Sequence, residues 1–213
     1  TYTEVDAEKA IGSEIISARF VERWEEDGGL RSRCVTRGYE AKGVDLTELF
    51  APTPLLVAIR VALLFVLYES CRCCVIDVSG AFLNAELEEP YFARPPEGYR
   101  TPGKVWQVNK YLYGDKRAPR GWQDYFAVVL KEYNLERLVS EPGAFYSKTQ
   151  KLLLVVHVND MLVIAHTHIL EEFVQFLKTK LKLKRVEHVE LRKPFAFLGD
   201  EITTHPNKVT IKA

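Results

Sequence analysis

Two apolar runs on either side of a short polar turn constrain the fold of this chain more than any other feature. Residues 152–156 and residues 161–164 are apolar throughout, and the four residues between them are His157, Val158, Asn159 and Asp160. Short β-favouring runs that flank a turn containing Asn and Asp are typical of a β-hairpin. The sequence therefore predicts a hairpin here, and with it a fold that contains a β-sheet.

Strand and helix patterns alternate along the rest of the chain. The predicted strands are residues 15–24, 30–39, 73–78 and 195–202, of which the first two form a hairpin around Asp27, Gly28 and Gly29. The predicted helices are residues 55–69, 121–133 and 170–183, and a proline-rich loop is predicted over residues 86–102. This order predicts an α+β domain with an antiparallel sheet.

The charges of the chain set few limits on its partner. The 29 basic and 29 acidic residues cancel, so the net charge gives no indication for or against nucleic-acid binding. Basic residues concentrate in residues 100–124 and 178–193, whereas acidic residues concentrate in residues 86–97. A basic cluster either contacts phosphate or forms the solvated face of a helix or strand, and both interpretations remain open.

The cysteines and the longest apolar run argue against three other kinds of site or segment. Cys71, Cys73 and Cys74 lie in one short segment, Cys34 stands apart, and no histidine lies near them at metal-ligand spacing. This pattern indicates neither a zinc site nor a disulfide framework and favours a reducing compartment. The longest apolar run, residues 55–68, is too short to span a membrane, so no membrane partner is expected.

Two aspartates stand where a metal-binding site can form. Asp77 ends the predicted strand 73–78, Asp160 lies in the predicted hairpin turn, and sheet pairing would bring the two together. Carboxylates are the ligands that Mg²⁺ prefers, and a few of them suffice for two-metal nucleotidyl transfer. From the residues alone a second interpretation stays open, because Asn159 and Asp160 suit a purely structural turn and Asp77 suits a loop or a cap.

Seven segments resemble the motifs of one family, in the order in which that family has them. They are residues 33–39 (RCVTRGY), 43–52 (GVDLTELFAP), 76–87 (IDVSGAFLNAEL), 95–99 (PPEGY), 111–122 (YLYGDKRAPRGW), 157–160 (HVND) and 197–199 (FLG). The corresponding family motifs are R-x-V-x-R-G-Y, G-x-D-Y-x-E-T-F-A-P, M-D-V-x-x-A-F-L-N-G-x-L, Q-P-x-G-F, S-L-Y-G-L-K-Q-A-P-R-A-W, Y-V-D-D and F-L-G. On these segments the chain is identified as a member of the copia-type retrotransposon reverse transcriptases, which are RNA-directed DNA polymerases.

The resemblance implies a right-hand polymerase fold with fingers and palm, an antiparallel palm sheet packed on helices, and no thumb. It implies one reverse-transcriptase domain over residues 1–213, with residues 15–70 mainly fingers and residues 71–213 mainly palm with a fingers insertion. The implied partners are an RNA template, a DNA primer and a deoxynucleoside triphosphate. The implied location is inside the cell, in a cytoplasmic virus-like particle or the nucleus. Because the chain begins at Thr1 rather than Met, a fragment is expected.

The resemblance also implies roles for individual residues. The catalytic positions are Asp77, Asn159 and Asp160, of which Asp77 and Asp160 bind Mg²⁺. The nucleotide-binding positions are Arg31, Arg37, Val78, Ser79, Gly80, Ala81, Phe82, Tyr113 and Gly114, and the template or primer positions are Lys116, Arg117 and Arg120. Arg31 and Arg37 are expected on one face of a strand, gripping the triphosphate that the N–H groups of residues 78–81 cradle. Phe82 crowds the sugar 2′-position, with core packing as the second interpretation.

The chain departs from the family at its catalytic turn. Asn159 stands where the family has the first Asp of a pair, and its amide cannot supply the second anionic oxygen that bridges two metal ions. At about 1.4 kcal/mol per tenfold, a loss of several kcal/mol lowers the rate roughly a thousandfold. Asp115, Arg117 and the pair Ser79-Gly80 also differ from the motifs. The prediction is a polymerase with a weakened Mg²⁺ site. The alternatives are a domesticated module that binds nucleic acid or protein, and a structural subunit of a larger assembly.

Overall fold

The computed structural model describes residues 1–25, 28–43, 49, 51, 53–68 and 71–212. In chain order the strands are β1 (Tyr2–Asp6), β2 (Ile15–Trp24), β3 (Leu30–Thr36), β4 (Arg72–Val78), β5 (Glu86–Arg94), β6 (Lys104–Lys110), β7 (Glu136–Arg137), β8 (Ala144–Ser147), β9 (Leu152–His157), β10 (Asp160–Ala165), β11 (Leu183–His188), β12 (Pro194–Phe197), β13 (Asp200–Thr204) and β14 (Val209–Lys212). The α-helices are α1 (Leu56–Tyr68), α2 (Ala118–Glu132) and α3 (Thr167–Lys180). The predicted mixture of helices and sheets is therefore present.

The chain forms two units: unit 1 is Thr1–Ala51 with Phe82–Tyr125, and unit 2 is Pro52–Ala81 with Phe126–Ala213. Unit 1 contains a five-stranded sheet of order β1-β6-β5-β2-β3, in which β2 and β5 run parallel and the other neighbours run antiparallel. Its core includes Ile16, Ala18 and Trp106. From Arg19 onward β2 is exposed, so the outer part of the β2–β3 hairpin extends beyond this core.

Unit 2 is built on a six-stranded antiparallel sheet of order β11-β4-β10-β9-β8-β7. One face packs on α1, where Leu63 meets Val75 and Leu162 in a single core cluster. Helix α3 also packs on β4 and β10. Because both faces of the central strands are covered, β4, β9 and β10 are apolar without alternation. The sheet β12-β13-β14 joins the α1 cluster through Phe195 and Ile202.

The predicted loop over residues 86–102 is wrong, because strand β5 occupies most of it. Pro90 lies inside this strand and has no N–H group to donate to a ladder. The strand accommodates it at an irregularity, since the pairing of β5 with β6 shifts register between Glu86 and Tyr91. At such an irregularity the ladder of hydrogen bonds is interrupted, so no N–H group is needed from Pro90.

Two further boundaries differ from the predictions. The predicted strand 195–202 is two strands, β12 and β13, because Leu198 and Gly199 both have positive φ (51° and 91°) and turn the chain between them. The predicted helix 170–183 ends at Lys180, and strand β11 follows it. Asp27 of the predicted first turn and Glu69 of the first predicted helix lie outside the described residues. Within the described residues, no helix has the length and apolar character needed to cross a bilayer.

The start of α1 is held by a carboxylate from the connection between β7 and β8. Glu141, only 9% exposed, accepts hydrogen bonds from the N–H groups of Leu55 at 3.2 Å and Gly143 at 3.3 Å. Glu141→Ala removes both acceptors and is expected to lower the free energy of unfolding by about 1–2 kcal/mol. Urea denaturation followed by circular dichroism measures this. Glu141→Gln keeps one acceptor oxygen and should cost less, whereas an alanine variant as stable as the native chain would contradict the interpretation.

Candidate active site

The pairing of β4 with β10 places two aspartates opposite each other. In the antiparallel register Asp77 is the partner of Asp160, and the next pair is Ile76 with Met161. Residues directly opposite on antiparallel strands project from the same face of the sheet, with Cβ atoms about 4.5–5.5 Å apart. The strand end and the hairpin turn are therefore adjacent, as the sequence predicts, and both carboxylates belong to unit 2.

The hairpin turn is only two residues long. His157 pairs with Asp160, so the loop consists of Val158 and Asn159. Val158 has a φ of 53°, a left-handed conformation that a β-branched residue adopts only at an energetic cost. The N–H group of Val78 donates to the carbonyl of Asn159 at 3.0 Å, and this bond ties the strained turn to the end of β4. Strained backbone of this kind is held in place by its surroundings.

Asn159 is hydrogen-bonded to Asp77 through its side chain. The amide Nδ2 of Asn159 donates to Oδ1 of Asp77 at 2.7 Å. The Nζ atom of Lys184, on β11, lies 3.4 Å from the other oxygen, Oδ2. Since the Asp77 side chain is only 15% exposed, these two neighbours provide much of its polar environment. Both oxygens of Asp77 are thus engaged by groups of the chain itself.

Asp160 lies in surroundings that disfavour its charged form. Burial raises the pKa of the Asp160 carboxyl, and the negative charge of Asp77 raises that pKa further. The charges of Arg185, His157 and Lys184 act in the opposite direction and lower it. Additional positive charge beside Asp160 would therefore favour its ionised form.

Backbone pairing occupies two of the N–H groups that the resemblance assigns to the triphosphate. Val78 donates to the Asn159 carbonyl, and Ser79 donates to the carbonyl of Lys182 at 2.9 Å. The expected cradle of N–H groups over residues 78–81 is therefore not formed at Val78 and Ser79, because both already have acceptors within unit 2. For Gly80 and Ala81 the role remains a prediction.

Phe82 and Tyr113 form an aromatic pair in unit 1. Their ring centroids are 5.3 Å apart and the ring planes meet at 65°, an edge-to-face arrangement. The guanidinium of Arg33 lies 5.2 Å from the centroid of the Tyr113 ring. Phe82 is half-buried, so part of its ring remains at the surface of unit 1. Two predicted nucleotide-binding residues are thus together and next to an arginine of the β2–β3 hairpin.

Gly114 is required by the packing of backbone against backbone. Its φ is 86°, and a Cβ atom added there would overlap the carbonyl oxygen of Thr36. A Cβ atom added at Gly38 would in turn overlap the carbonyl oxygen of Gly114. The N–H group of Thr36 donates to the Tyr113 carbonyl at 2.8 Å, which holds the end of β3 against this segment. Gly114 therefore has a structural role, whatever its part in nucleotide binding.

The β2–β3 hairpin presents arginines on one exposed face. Arg23 is the partner of Arg31, and Arg33 is the partner of Val21. Because side chains alternate along a strand, these arginines and Arg19 project from the same face. Arg31 also lies 3.2 Å from Glu25. Sequence reasoning missed Arg19, Arg23 and Arg33, although their even spacing within each strand, on both sides of a Gly-Gly turn, is a visible signal.

The predicted shared strand face of Arg31 and Arg37 is wrong. Strand β3 ends at Thr36, and Arg37, with φ −85° and ψ 68°, leads into a 3-10 turn at Gly38–Glu40. Gly38 follows and lies against the backbone of Gly114. The alternation of side chains between the two faces of β3 therefore ends before Arg37. The residue of β3 that shares a face with Arg31 is Arg33, two residues further along the strand, rather than Arg37.

Comparison with known proteins decides the family. The model of the reverse transcriptase (RNA-dependent DNA polymerase) family matches residues 1–213. The chain belongs to the reverse transcriptase family. Among its relatives, the retrovirus-related Pol polyprotein from transposon TNT 1-94 of Nicotiana tabacum is 31% identical over 176 residues, 77% of this chain. The curated relatives are copia-type Pol polyproteins, so the resemblance drawn from the motifs is confirmed. This reverse transcriptase chain spans about 13% of the length of the first of them.

Two solved structures share the fold of this chain. A foamy viral protease–reverse transcriptase, solved with double-stranded DNA, aligns with a TM-score of 0.52 at 14% identity over 99% of this chain and 32% of that chain. A telomerase from Candida albicans, solved with a fragment of telomeric RNA, aligns with a TM-score of 0.54 at 8% identity over 100% of this chain and 47% of that chain. At such low identity these likenesses show the fold alone.

Two residues that depart from the family motif form a pair with each other. Asp115 accepts a hydrogen bond from the N–H of Arg117 at 2.9 Å, and the Arg117 guanidinium lies 3.5 Å from the same carboxylate. The Asp115 side chain is only 7% exposed. Arg120 forms an exposed ion pair with Asp124 at 2.6 Å, whereas Lys116 is exposed beside the Asp115–Arg117 pair. Template contact by Lys116, Arg117 and Arg120 remains a prediction.

Two carboxylates of this chain, those of Asp77 and Asp160, supply oxygens of the kind that Mg²⁺ prefers. Asn159, beside Asp160 in the turn, directs its NH₂ group at Asp77, so its uncharged amide oxygen is the one atom of this side chain able to serve as a ligand. Over the part of the chain that the structure describes, no group of three or more His, Cys, Asp or Glu side chains is placed to hold a metal ion.

Proposed function

We propose that this chain is the fingers and palm of a copia-type RNA-directed DNA polymerase, and that nucleotide transfer by this copy is severely impaired. One observation carries the proposal. Asp77 and Asp160 stand opposite each other in a sheet of the reverse transcriptase fold, and Asn159, next to Asp160 in the turn, donates a hydrogen bond to Asp77. The turn thus lies where the family has its catalytic turn, but it carries one negative charge fewer than the family motif because Asn159 replaces an Asp.

In this proposal unit 1 is the fingers and unit 2 is the palm. The arginine face of the β2–β3 hairpin supplies guanidinium groups, which suit the oxygens of a triphosphate. Phe82 and Tyr113 form a wall of the pocket for the incoming nucleotide. Lys116, which is exposed, and Arg120, which is partly exposed, contact the phosphates of the template or primer. As a Pol domain of a retrotransposon, the chain would work inside the cell, in a virus-like particle or in the nucleus.

Asp77 and Asp160 would hold Mg²⁺, which when bound supplies positive charge to the reacting phosphate and lowers the pKa of the attacking hydroxyl. The role of the chain in this step is to hold the two carboxylates in place on adjacent strands. Asn159 adds no anionic oxygen and holds Asp77 by a hydrogen bond instead. The proposal is therefore a domain that binds its substrates and transfers nucleotides slowly.

Binding and extension, measured separately, test this proposal. The native chain is expected to bind an RNA–DNA primer–template with an affinity that falls steeply with salt, as fluorescence anisotropy would show. The Lys116→Gln/Arg120→Gln variant should lower the slope of log affinity against log salt by roughly one for each phosphate that the variant no longer neutralises. Primer extension by the native chain with Mg²⁺ or Mn²⁺ should be barely detectable.

Two results would count against the proposal. Robust extension by the native chain would show that Asn159 does not impair catalysis. Primer–template binding no tighter than that of an unrelated protein of equal net charge, even at low salt, would show that the chain does not act on nucleic acid.

A further inference from the structure

The carboxylate of Asp77 has a donor on each of its two oxygens. Asn159 approaches Oδ1 at 2.7 Å and Lys184 approaches Oδ2 at 3.4 Å. Each donor takes up one direction of approach to this carboxylate. The Asp77 side chain is mostly buried, whereas the Lys184 side chain is 56% exposed, so the lysine reaches inward from the surface.

A β-bulge directs Lys184 to this place. Strand β11 pairs Leu183 with Val78 and Arg185 with Asp77, so Lys184 is an extra residue between two consecutive pairs. A bulge of this kind bends the strand and changes the direction of one side chain. The ammonium group is therefore positioned by an irregularity of the backbone, rather than being a long side chain that meets Asp77 by proximity alone.

Lys184 is the cation of β11 that contacts Asp77. Arg185 is the register partner of Asp77, but its guanidinium lies 3.7 Å from the carboxylate of Glu187 on the same strand. The charge of Asp77 is therefore offset by Lys184, and the amide of Asn159 adds a neutral donor. An Asp at position 159 would replace this donor with a second negative charge beside Asp77.

We infer that Asn159 and Lys184 together take the place of a divalent cation at Asp77, so that this carboxylate is engaged within the chain and resists metal. The inference rests on the proposed function, because it takes Asp77 as the position that holds the cation. Lys184 is a competitor of the metal ion: it occupies Oδ2 while Asn159 occupies Oδ1. Removing either competitor opens Asp77 to a cation, and removing both opens it most.

Titration with Mn²⁺ in the absence of nucleic acid tests the competition, with free Mn²⁺ followed by electron paramagnetic resonance. The Lys184→Gln variant is expected to bind Mn²⁺ about fivefold more tightly than the native chain, since a unit charge about 4 Å away is worth about 1 kcal/mol even in water. Asn159→Asp should gain about tenfold or more, and the double variant should bind most tightly. Lys184→Arg keeps the charge and should resemble the native chain.

Lys178→Gln is the matched control. Lys178 is an exposed lysine in the last turn of α3, so its replacement removes the same charge from unit 2. Equal Mn²⁺ affinities of the Lys184→Gln and Lys178→Gln variants would overturn the inference. A second readout is thermal unfolding with a chelator present, where Lys184→Gln should melt at a lower temperature than Lys178→Gln because Asp77 loses its counter-ion.

The two proposals fail in different ways. If Lys184→Gln raises Mn²⁺ affinity but no variant extends a primer, the polymerase function is wrong and the competition at Asp77 stands. If Asn159→Asp restores extension but Lys184→Gln and Lys178→Gln bind Mn²⁺ equally, the function stands and the competition is wrong.

Discussion

The Asn159→Asp variant is expected to extend a DNA primer on an RNA template about a thousandfold faster than the native chain. The replacement turns a hydrogen-bond donor beside Asp77 into a carboxylate, so three carboxylates, at positions 77, 159 and 160, lie at the same end of the sheet. At about 1.4 kcal/mol per tenfold, this gain corresponds to roughly 4 kcal/mol of transition-state stabilisation. Gel-based extension with Mg²⁺, under single-turnover conditions, measures it.

Two control variants separate the added carboxylate from the removed amide. Asn159→Ala breaks the hydrogen bond to Asp77 without adding charge, so extension should rise by a few-fold at most, far less than with Asn159→Asp. Asp77→Asn in the Asn159→Asp background removes the strand-end carboxylate and should abolish the gain. Equal rates for the native chain and Asn159→Asp would show that position 159 does not limit catalysis in this copy.

The Gly114→Ala variant is expected to lose about 3 kcal/mol of folding free energy. Roughly 1–2 kcal/mol comes from placing a Cβ atom in the left-handed conformation, since φ is 86° at this residue. The rest comes from overlap with the Thr36 carbonyl oxygen, which forces the end of β3 away from residues 113 and 114. Chemical denaturation, followed by tryptophan fluorescence, measures the loss.

Gly12 provides a matched control for the strain at Gly114. Its φ is 81°, nearly the same, but a Cβ atom added there meets nothing within 4 Å. Gly12→Ala should therefore lose only the conformational part, about 1–2 kcal/mol. If both alanine variants were equally destabilised, close backbone packing at Gly114 would be refuted as the cause of the extra loss.

Local sequence patterns predict the three strands that carry Asp77 and Asp160 or flank them. The two apolar runs around His157 and Asp160 form β9 and β10, and the strand that ends near Asp77 is β4. These elements are predictable because each is a buried run of β-favouring residues bounded by a turn. The two strands are expected to be adjacent because buried apolar strands pair in the centre of a sheet. The register of such strands is strongly specified by the faces that they bury.

Partners that lie far apart in sequence are not predictable from such patterns. No local signal indicates that β11 pairs beside β4, or that a bulge brings Lys184 to Asp77. Strand β5 is hidden because Pro90 and the neighbouring glutamates are typical of a loop, and its pairing with β2 and β6 makes it a strand. The position of Arg37 depends on the close approach of Gly38 to Gly114, which no local propensity specifies.

The mutual bond between Asp115 and Arg117 bears on how this copy diverged from its relatives. Asp115 without Arg117 is a carboxylate with little water around it and no cation, and such a group is costly, whereas the Arg117 side chain is 29% exposed and keeps part of its hydration. An ancestor that carried Asp115 alone is therefore expected to have been short-lived. A reconstruction of the ancestral element should not keep Asp115 where it reverts Arg117.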